Sequence, residues 1–188
     1  MTRERPILFS TEMVRAVLDG RKTQTRRVVK PQPQVIGRNH EDRPVAICDG
    51  QPITCRFGLP GDRLWVRERW GYRKDFSPDS LFNANCQFAY SADGSSNHLQ
   101  GKWRQSRSMP RIASRIILGI TDIRIQRLHS IDEPAARAEG FDPSSSDGKP
   151  LAWFRQLWDS LSVDGQFTWD SNPWLWVIDF KMLKVKHS

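Results

Sequence analysis

Along the first thirty residues the apolar positions change period twice. Pro6, Ile7, Leu8 and Phe9 form a short continuous run that predicts a strand. Ser10 or Thr11 stands where a helix N-cap is needed, and Glu12 falls in the first turn, where the helix dipole favours an acid. Met13 with Val17, and Val14 with Leu18, are apolar pairs one helical turn apart, so a helix with one buried face is predicted up to Asp19, with Gly20 as the residue that ends it. Residues 21–29 are rich in β-branched side chains and roughly alternate, which predicts a second strand. Polar groups therefore gather where a helix ends and a strand begins.

Further on, Pro31 and Pro33 end that strand, and residues 31–60 hold five prolines among short apolar runs, which reads as an insertion or a long loop. A turn at residues 59–62 precedes a half-buried strand over residues 63–68, with Leu64 and Val66 on one face and Trp65 and Arg67 on the other. Residues 86–90 predict a short strand, and residues 91–101 a surface loop. In residues 113–128 the alternation of Ile116, Leu118 and Ile120 passes to Ile123 and Ile125, which places a bend or bulge at Thr121 and Asp122. Ser130 or Asp132 caps a helix through Pro134 to Glu139 that stops at Gly140. A third helix is predicted over residues 151–161, with Phe154, Leu157, Trp158 and Leu161 on one stripe, and residues 174–180 predict a buried strand. The chain has no internal repeat, heptad run or low-complexity tract. Roughly five or six strands against three helices predict an α+β fold, a small mixed or antiparallel β-barrel with flanking helices and inserted loops.

The length of 188 residues suits one domain spanning 1–188. Eight Trp and nine Phe supply large units of buried area, so the composition is that of a folding chain. No apolar stretch approaches the length of a membrane span, and the start, MTRERPILFS, has neither an apolar core nor a cleavage site of a signal peptide. The expectation is a cytoplasmic protein with no membrane partner. Three cysteines (Cys48, Cys55, Cys86) are an odd number for a disulfide framework. The Cys48–Cys55 spacing is wide for structural zinc, with His40 or Cys86 as the candidates for a third ligand. No metal and no cofactor are expected.

Charge sharpens this picture. The formal net charge is +8, and its distribution is uneven: residues 1–30 carry a net +5, residues 31–100 balance, residues 101–127 carry +6 and residues 128–188 carry −3. Two basic blocks brought together make one cationic surface that attracts phosphate. The expected partner is RNA or a nucleotide-like small molecule; oligomeric state is not legible. Arg21, Arg26, Arg67, Arg111 and Arg115 are the candidate phosphate contacts, and Trp65, Trp70 and Trp103, flanked by Arg or Lys, are candidates for stacking a base. Trp158, Trp174 and Trp176 are assigned to the core. Glu68, between two arginines, either orients Arg67, bonds a base edge or forms a structural ion pair. Lys22 and Thr25 are brought together by a turn at Lys22-Thr23, as base and hydroxyl or as a hold on an oxygen. Glu139, at a helix C-terminus where the dipole does not favour it, calls for a partner such as Lys22 or a ligand amine. No P-loop, dinucleotide fingerprint, zinc finger or nucleophile-elbow motif is present.

The segment Gly20-Arg21-Lys22-Thr23-Gln24-Thr25-Arg26-Arg27 resembles the signature of the ASCH domain family, a branch of the PUA-like fold. Residues 61–68, 109–115, the helix end at Ala138-Glu139-Gly140 and residues 172–181 resemble the larger ASCH proteins of phages and prophages, with residues 31–58 and 71–108 as variable insertions. The resemblance implies a PUA-like β-barrel with a helix-lined cleft and a role in binding RNA or a modified nucleoside. It also implies an alternative, an amidohydrolase acting on N4-acetylcytidine or a similar pyrimidine, with Lys22, Thr25 and Glu139 as its metal-independent catalytic set. A third alternative is a phage-related regulatory interaction protein. Whether the chain is an enzyme stays open at this point.

Overall fold

The computed structural model describes residues 2–74, 88–94, 99–144, 148–162 and 165–185. In chain order the elements are β1 (Glu4–Leu8), α1 (Thr11–Leu18), β2 (Gln24–Val28), β3 (Val35–Arg38), β4 (Pro44–Cys48), β5 (Gln51–Ile53), β6 (Arg63–Arg67), β7 (Trp70–Arg73), β8 (Phe88–Tyr90), β9 (Leu99–Arg104), β10 (Ile116–Arg127), α2 (Glu133–Ala138), α3 (Pro150–Leu161) and β11 (Trp174–Val185). The main sheet has the order β1-β6-β10-β11-β2. β1 runs parallel to β6, and the other neighbours are antiparallel. Two smaller antiparallel sheets, β3-β4-β5 and β8-β7-β9, sit beside it.

The α+β class holds, but the expected PUA-like barrel does not. β1 and β2 are the two edges of an open sheet and do not pair with each other. A closing ladder needs the β1 carbonyls to accept from β2 backbone N–H groups. Instead the Leu8 carbonyl accepts from the guanidinium Nη2 of Arg27 at 2.8 Å, so a long side chain stands where a strand contact would be.

Local chemistry explains the elements that position the site. Ser10 caps α1 by accepting from the Met13 N–H at 3.2 Å, and Met13, Val14, Ala16 and Val17 are its buried face. Asp132 caps α2 by accepting from the Ala135 N–H at 2.9 Å. The β10–β11 register shifts between Ile120 and Asp122, where the alternation of apolar residues changes face. The principal core lies between α1 and the sheet and includes Ile7, Val14, Val17, Leu64, Val66, Leu118, Trp176 and Ile178. A separate cluster under α2 and α3 is built on Leu128, Ile131, Ala136, Phe154 and Leu175.

Residues 31–60, read above as an insertion or loop, contain the β3-β4-β5 meander. Its tight turn is Asp49-Gly50, both at positive φ (50° and 72°), which is the two-residue hairpin turn that Asp-Gly favours. The short strand expected at residues 86–90 is β8 over its last three residues; Cys86 and Gln87 lie outside the described residues, as do residues 95–98 of the expected loop. No helix among the described residues is long and apolar enough to cross a membrane.

Candidate functional site

The turn after α1 is pinned against the end of α2. Gly20, at φ 74°, ends α1 and sends the chain back. The Lys22 N–H then donates to the Ala16 carbonyl at 2.9 Å and the Thr23 N–H to the Ala138 carbonyl at 2.8 Å, while Lys22 and Glu139 form an isolated antiparallel bridge. Gly140 makes the approach possible: its φ is 107°, and a Cβ there would stand 2.9 Å from the Ala16 Cβ and 3.2 Å from the Lys22 Cβ. Two backbone segments more than a hundred residues apart are thus laid side by side, and their side chains must meet.

They meet as ions. The Lys22 ammonium donates to Glu139 Oε2 at 2.7 Å, to the Glu139 carbonyl at 2.9 Å and to the Gln24 carbonyl at 2.9 Å. These are all three of its N–H donors. The Lys22 side chain has no exposed surface, and burial lowers its pKa from the usual lysine value, with Glu139 opposing the shift. The other Glu139 oxygen accepts from Arg26 Nη1 at 3.1 Å. Arg26 is buried as well, and the same Nη1 donates to the Gln24 side-chain oxygen. Gln24 in turn donates to Asp179, its cross-strand neighbour, which holds Arg124 on its other oxygen. A six-residue polar network therefore crosses from α2 through β2 to β11 and β10. Gln24, Asp179 and Arg124 are invisible as site residues in the sequence, because only the β2–β11 register brings them together.

A cavity of about 340 Å³ opens on this network. Thr25, Arg26, Arg27, Lys30, Glu139 and Gln166 contribute to its polar wall, and Phe154, Leu157, Trp158, Leu161 and Phe167 contribute apolar and aromatic surface. Lys22 is not in the wall; it stands behind Glu139 and holds it. Thr25 is buried in this wall, and the buried Nε–H of Arg26 has no partner among the described residues. A buried donor left unmatched costs about 1–3 kcal/mol, so an acceptor brought by a ligand would recover stability there. Trp158, assigned above to the core, is half-buried with its indole N–H bonded to the Phe167 carbonyl at 2.7 Å, which leaves part of its ring to the cavity.

The remaining predicted residues lie elsewhere, and most are matched. Arg21 pairs with Asp19 at 2.7 Å and donates to the Gly140 carbonyl at 2.9 Å. Arg111 pairs with Glu4 at 2.9 Å. Glu68 is buried and takes two parallel hydrogen bonds from Arg115, each 3.0 Å, while Arg115 also reaches Asp93 and lies 4.0 Å over the Tyr90 ring. Burial pushes the Glu68 carboxyl up and Arg115 works against it. Trp65 is buried beneath the guanidiniums of Arg67 and Arg111, and Trp70 is 2% exposed inside a cluster with Phe88, Tyr90, Met109 and Ala113. Neither tryptophan offers a free face for stacking. Trp103 is half-buried on β9. Cys48 and Cys55 are buried free thiols, and Cys86 lies outside the described residues.

No protein-family model matches the chain, and no curated protein matches it. Among solved structures, the chain is similar to the crystal structure of protein EF3133 from Enterococcus faecalis V583, of the family DUF984, at 12% sequence identity with a TM-score of 0.48, over 100% of this chain and 85% of that one. A likeness at that level carries no argument about function, so the geometry of the cavity has to supply it.

Proposed function

We propose that the chain binds RNA or a modified nucleoside, taking a planar, pyrimidine-like ring into the cavity beside Glu139. The observation that carries this reading is the wall itself: aromatic side chains of Phe154, Trp158 and Phe167 stand with a carboxylate acceptor (Glu139), an unmatched guanidinium donor (Arg26) and a hydroxyl (Thr25), in a wall that Arg27, Lys30 and Gln166 also line. A cytosine-like ring has an amine edge for the first, a carbonyl for the second and a π-face for the aromatics. The volume falls in the range of small-ligand sites. The motif on which the ASCH resemblance rests supplies Thr25 and Arg26 to this wall and Lys22 to the ion pair behind it, which supports the same reading.

A second reading, hydrolysis of an amide on such a ring, is favoured by the Thr25 hydroxyl standing in the same wall as Glu139. In it the Thr25 oxygen attacks the acyl carbon, and Glu139 takes the hydroxyl proton and returns it to the departing ring amine. Water then cleaves the threonine ester, releasing the carboxylic acid and restoring the hydroxyl. Lys22 acts in this scheme as a positioning residue, since its three N–H bonds are already given to Glu139 and Gln24.

The test is titration of the protein with cytidine and N4-acetylcytidine, followed by tryptophan fluorescence, with Phe154→Ala and Thr25→Val in parallel. Saturable quenching that weakens at least about tenfold in Phe154→Ala supports the cavity as the site. Release of cytidine from the acetylated ligand, lost in Thr25→Val while binding persists, selects the second reading. No saturable response to either compound overturns both.

A further inference from the structure

A second cavity, of about 780 Å³, adjoins the first: Met13, Arg27 and Leu161 stand in the walls of both. Its wall contains Arg5, Arg27, Arg56 and Arg67 and no acidic residue. These four differ from the other arginines of the site region. Arg21, Arg26, Arg111 and Arg115 each sit on a carboxylate. None of the four cleft arginines forms an ion pair among the described residues. Backbone carbonyls and aromatic rings hold them instead.

Arg5 Nη1 donates to the Arg56 carbonyl at 2.8 Å, and its buried Nε–H has no partner. Arg27 donates to the Leu8 carbonyl and lies 5.7 Å over the Phe9 ring. Arg56 lies 4.9 Å over the Phe57 ring. Arg67 donates to the Met109 carbonyl at 3.1 Å and lies 4.9 Å over the Trp65 ring. Guanidiniums fixed in this way cannot fold back to find carboxylates, and their mutual repulsion is left standing. At Arg27 the pKa is lowered first by burial; the Glu139 carboxylate opposes the shift and the neighbouring charge of Arg56 adds to it. A chain that keeps four unneutralised cations around one concave surface has a site for an anion, and planar forks of this kind match phosphate oxygens.

We infer that the arginine cleft of Arg5, Arg27, Arg56 and Arg67 holds the phosphate of the same ligand whose ring enters the adjoining cavity, so that the ligand is a nucleotide unit and not a free nucleoside. The inference rests on the ring-binding reading above for its geometry, because Arg27 is the charged residue among the three shared by the two walls. The chemistry recognised is the phosphate of a nucleotide, present either in a mononucleotide or in the backbone of an RNA strand. Of the four arginines, only Arg67 was a candidate from sequence. The other three were hidden because their significance lies in forming no ion pair among the described residues, which a sequence does not display.

The experiment is a fluorescence titration of the full chain with cytidine, cytidine monophosphate, a short cytidylate RNA and inorganic pyrophosphate at two salt concentrations. It is carried out on the wild type, on Arg56→Ala, whose side chain is exposed and forms no ion pair among the described residues, and on Arg56→Lys. The expected result is that the monophosphate binds about tenfold or more tightly than cytidine, that this ratio shrinks as salt rises, and that it falls toward one in Arg56→Ala with partial rescue by lysine. Tighter binding of the RNA than of the monophosphate assigns the phosphate to a strand; equal binding assigns it to a mononucleotide. Equal affinity for cytidine and its monophosphate, independent of salt, overturns the arginine cleft while leaving the ring cavity in place. Binding of pyrophosphate that depends on Arg56, with no response to cytidine, keeps the arginine cleft as an anion site and overturns the ring reading. No response to any of the four overturns both.

Discussion

The ammonium of Lys22 and the carboxylate of Glu139, 117 residues apart in the chain, stand 2.7 Å from each other with side chains 0% and 4% exposed. The pair is not a duet, because Arg26 holds the second carboxylate oxygen. One anion therefore balances two buried cations, and the consequences of removing either side are unequal.

Glu139→Ala leaves Lys22 and Arg26 both uncompensated and should cost about 3–5 kcal/mol, the range for stripping one member from a buried ion pair. Lys22→Met leaves Glu139 still paired with Arg26 and should cost less, about 1–3 kcal/mol. Urea unfolding of the two variants checks the order. Equal losses, or a larger one for Lys22→Met, would show that Arg26 does not share the carboxylate. The same asymmetry makes Lys22→Met a sharper test of catalysis than Lys22→Ala, because it removes the charge while filling the space.

Cys55 gives a prediction with a defined pH window. Burial pushes its thiol from 9.0 up to about 11. The folded chain therefore keeps a proton that the unfolded chain gives up, and a raised pKa stabilises below the unfolded value and fades as pH rises through the folded one. The Cys55 contribution should be whole below pH 9 and lost as pH climbs from 9.0 toward about 11, amounting to about 2–3 kcal/mol across that window. Unfolding by urea at stepped pH, for the wild type and Cys55→Ala, isolates the effect as a difference in slope; parallel curves would contradict it.

How much of this was legible in the sequence depends on the range of the cause. The caps at Ser10 and Asp132, the stop at Gly20 and the bulge beside Thr121 all follow from neighbours in the chain, and each appears where its local chemistry places it. The openness of the sheet was not legible, since it depends on Arg27 reaching Leu8 across an edge. Among site residues, the meeting of Lys22 with Glu139 was anticipated from the oddity of a carboxylate at a helix C-terminus. The sorting of arginines was not. In sequence Arg67 is the one that stands beside Glu68, yet it is Arg115 that Glu68 and Asp93 consume, while Arg67 meets only a carbonyl and a ring. The tryptophans divide in the same way. Trp70 lies in a basic stretch but is buried in a cluster of aromatic neighbours, while Trp158 lies on an apolar stripe but edges the cavity.

Gly140 tests whether the backbone crossing is what builds the site. An Ala there meets two penalties at once, a φ of 107° that L side chains rarely adopt and a Cβ only 2.9 Å from that of Ala16. Gly140→Ala should lower stability by more than about 1 kcal/mol. It should also push Glu139 off Lys22, so that any ligand response at the cavity weakens even at temperatures where the variant is fully folded. Thermal unfolding and the fluorescence titration, run on the same preparation, read the two effects; a stability loss with unchanged titration would separate the crossing from the site.

Glu68 and Arg115 form the second buried ion pair, and it should behave as scaffold. The two parallel hydrogen bonds, with the Tyr90 ring beneath the guanidinium, tie β10's start to the end of β6 and lie outside both cavities. Arg115→Met strands a buried carboxylate and should cost about 3–5 kcal/mol, whereas the double variant Arg115→Met with Glu68→Gln removes the charge conflict and should recover much of that loss. A cycle of urea unfolding measurements on the two single variants and the double gives the coupling directly. If this pair is purely structural, the folded double variant should titrate with cytidine like the wild type. A coupling near zero would mean that Asp93, which also reaches Arg115 at 2.8 Å, carries the interaction in place of Glu68.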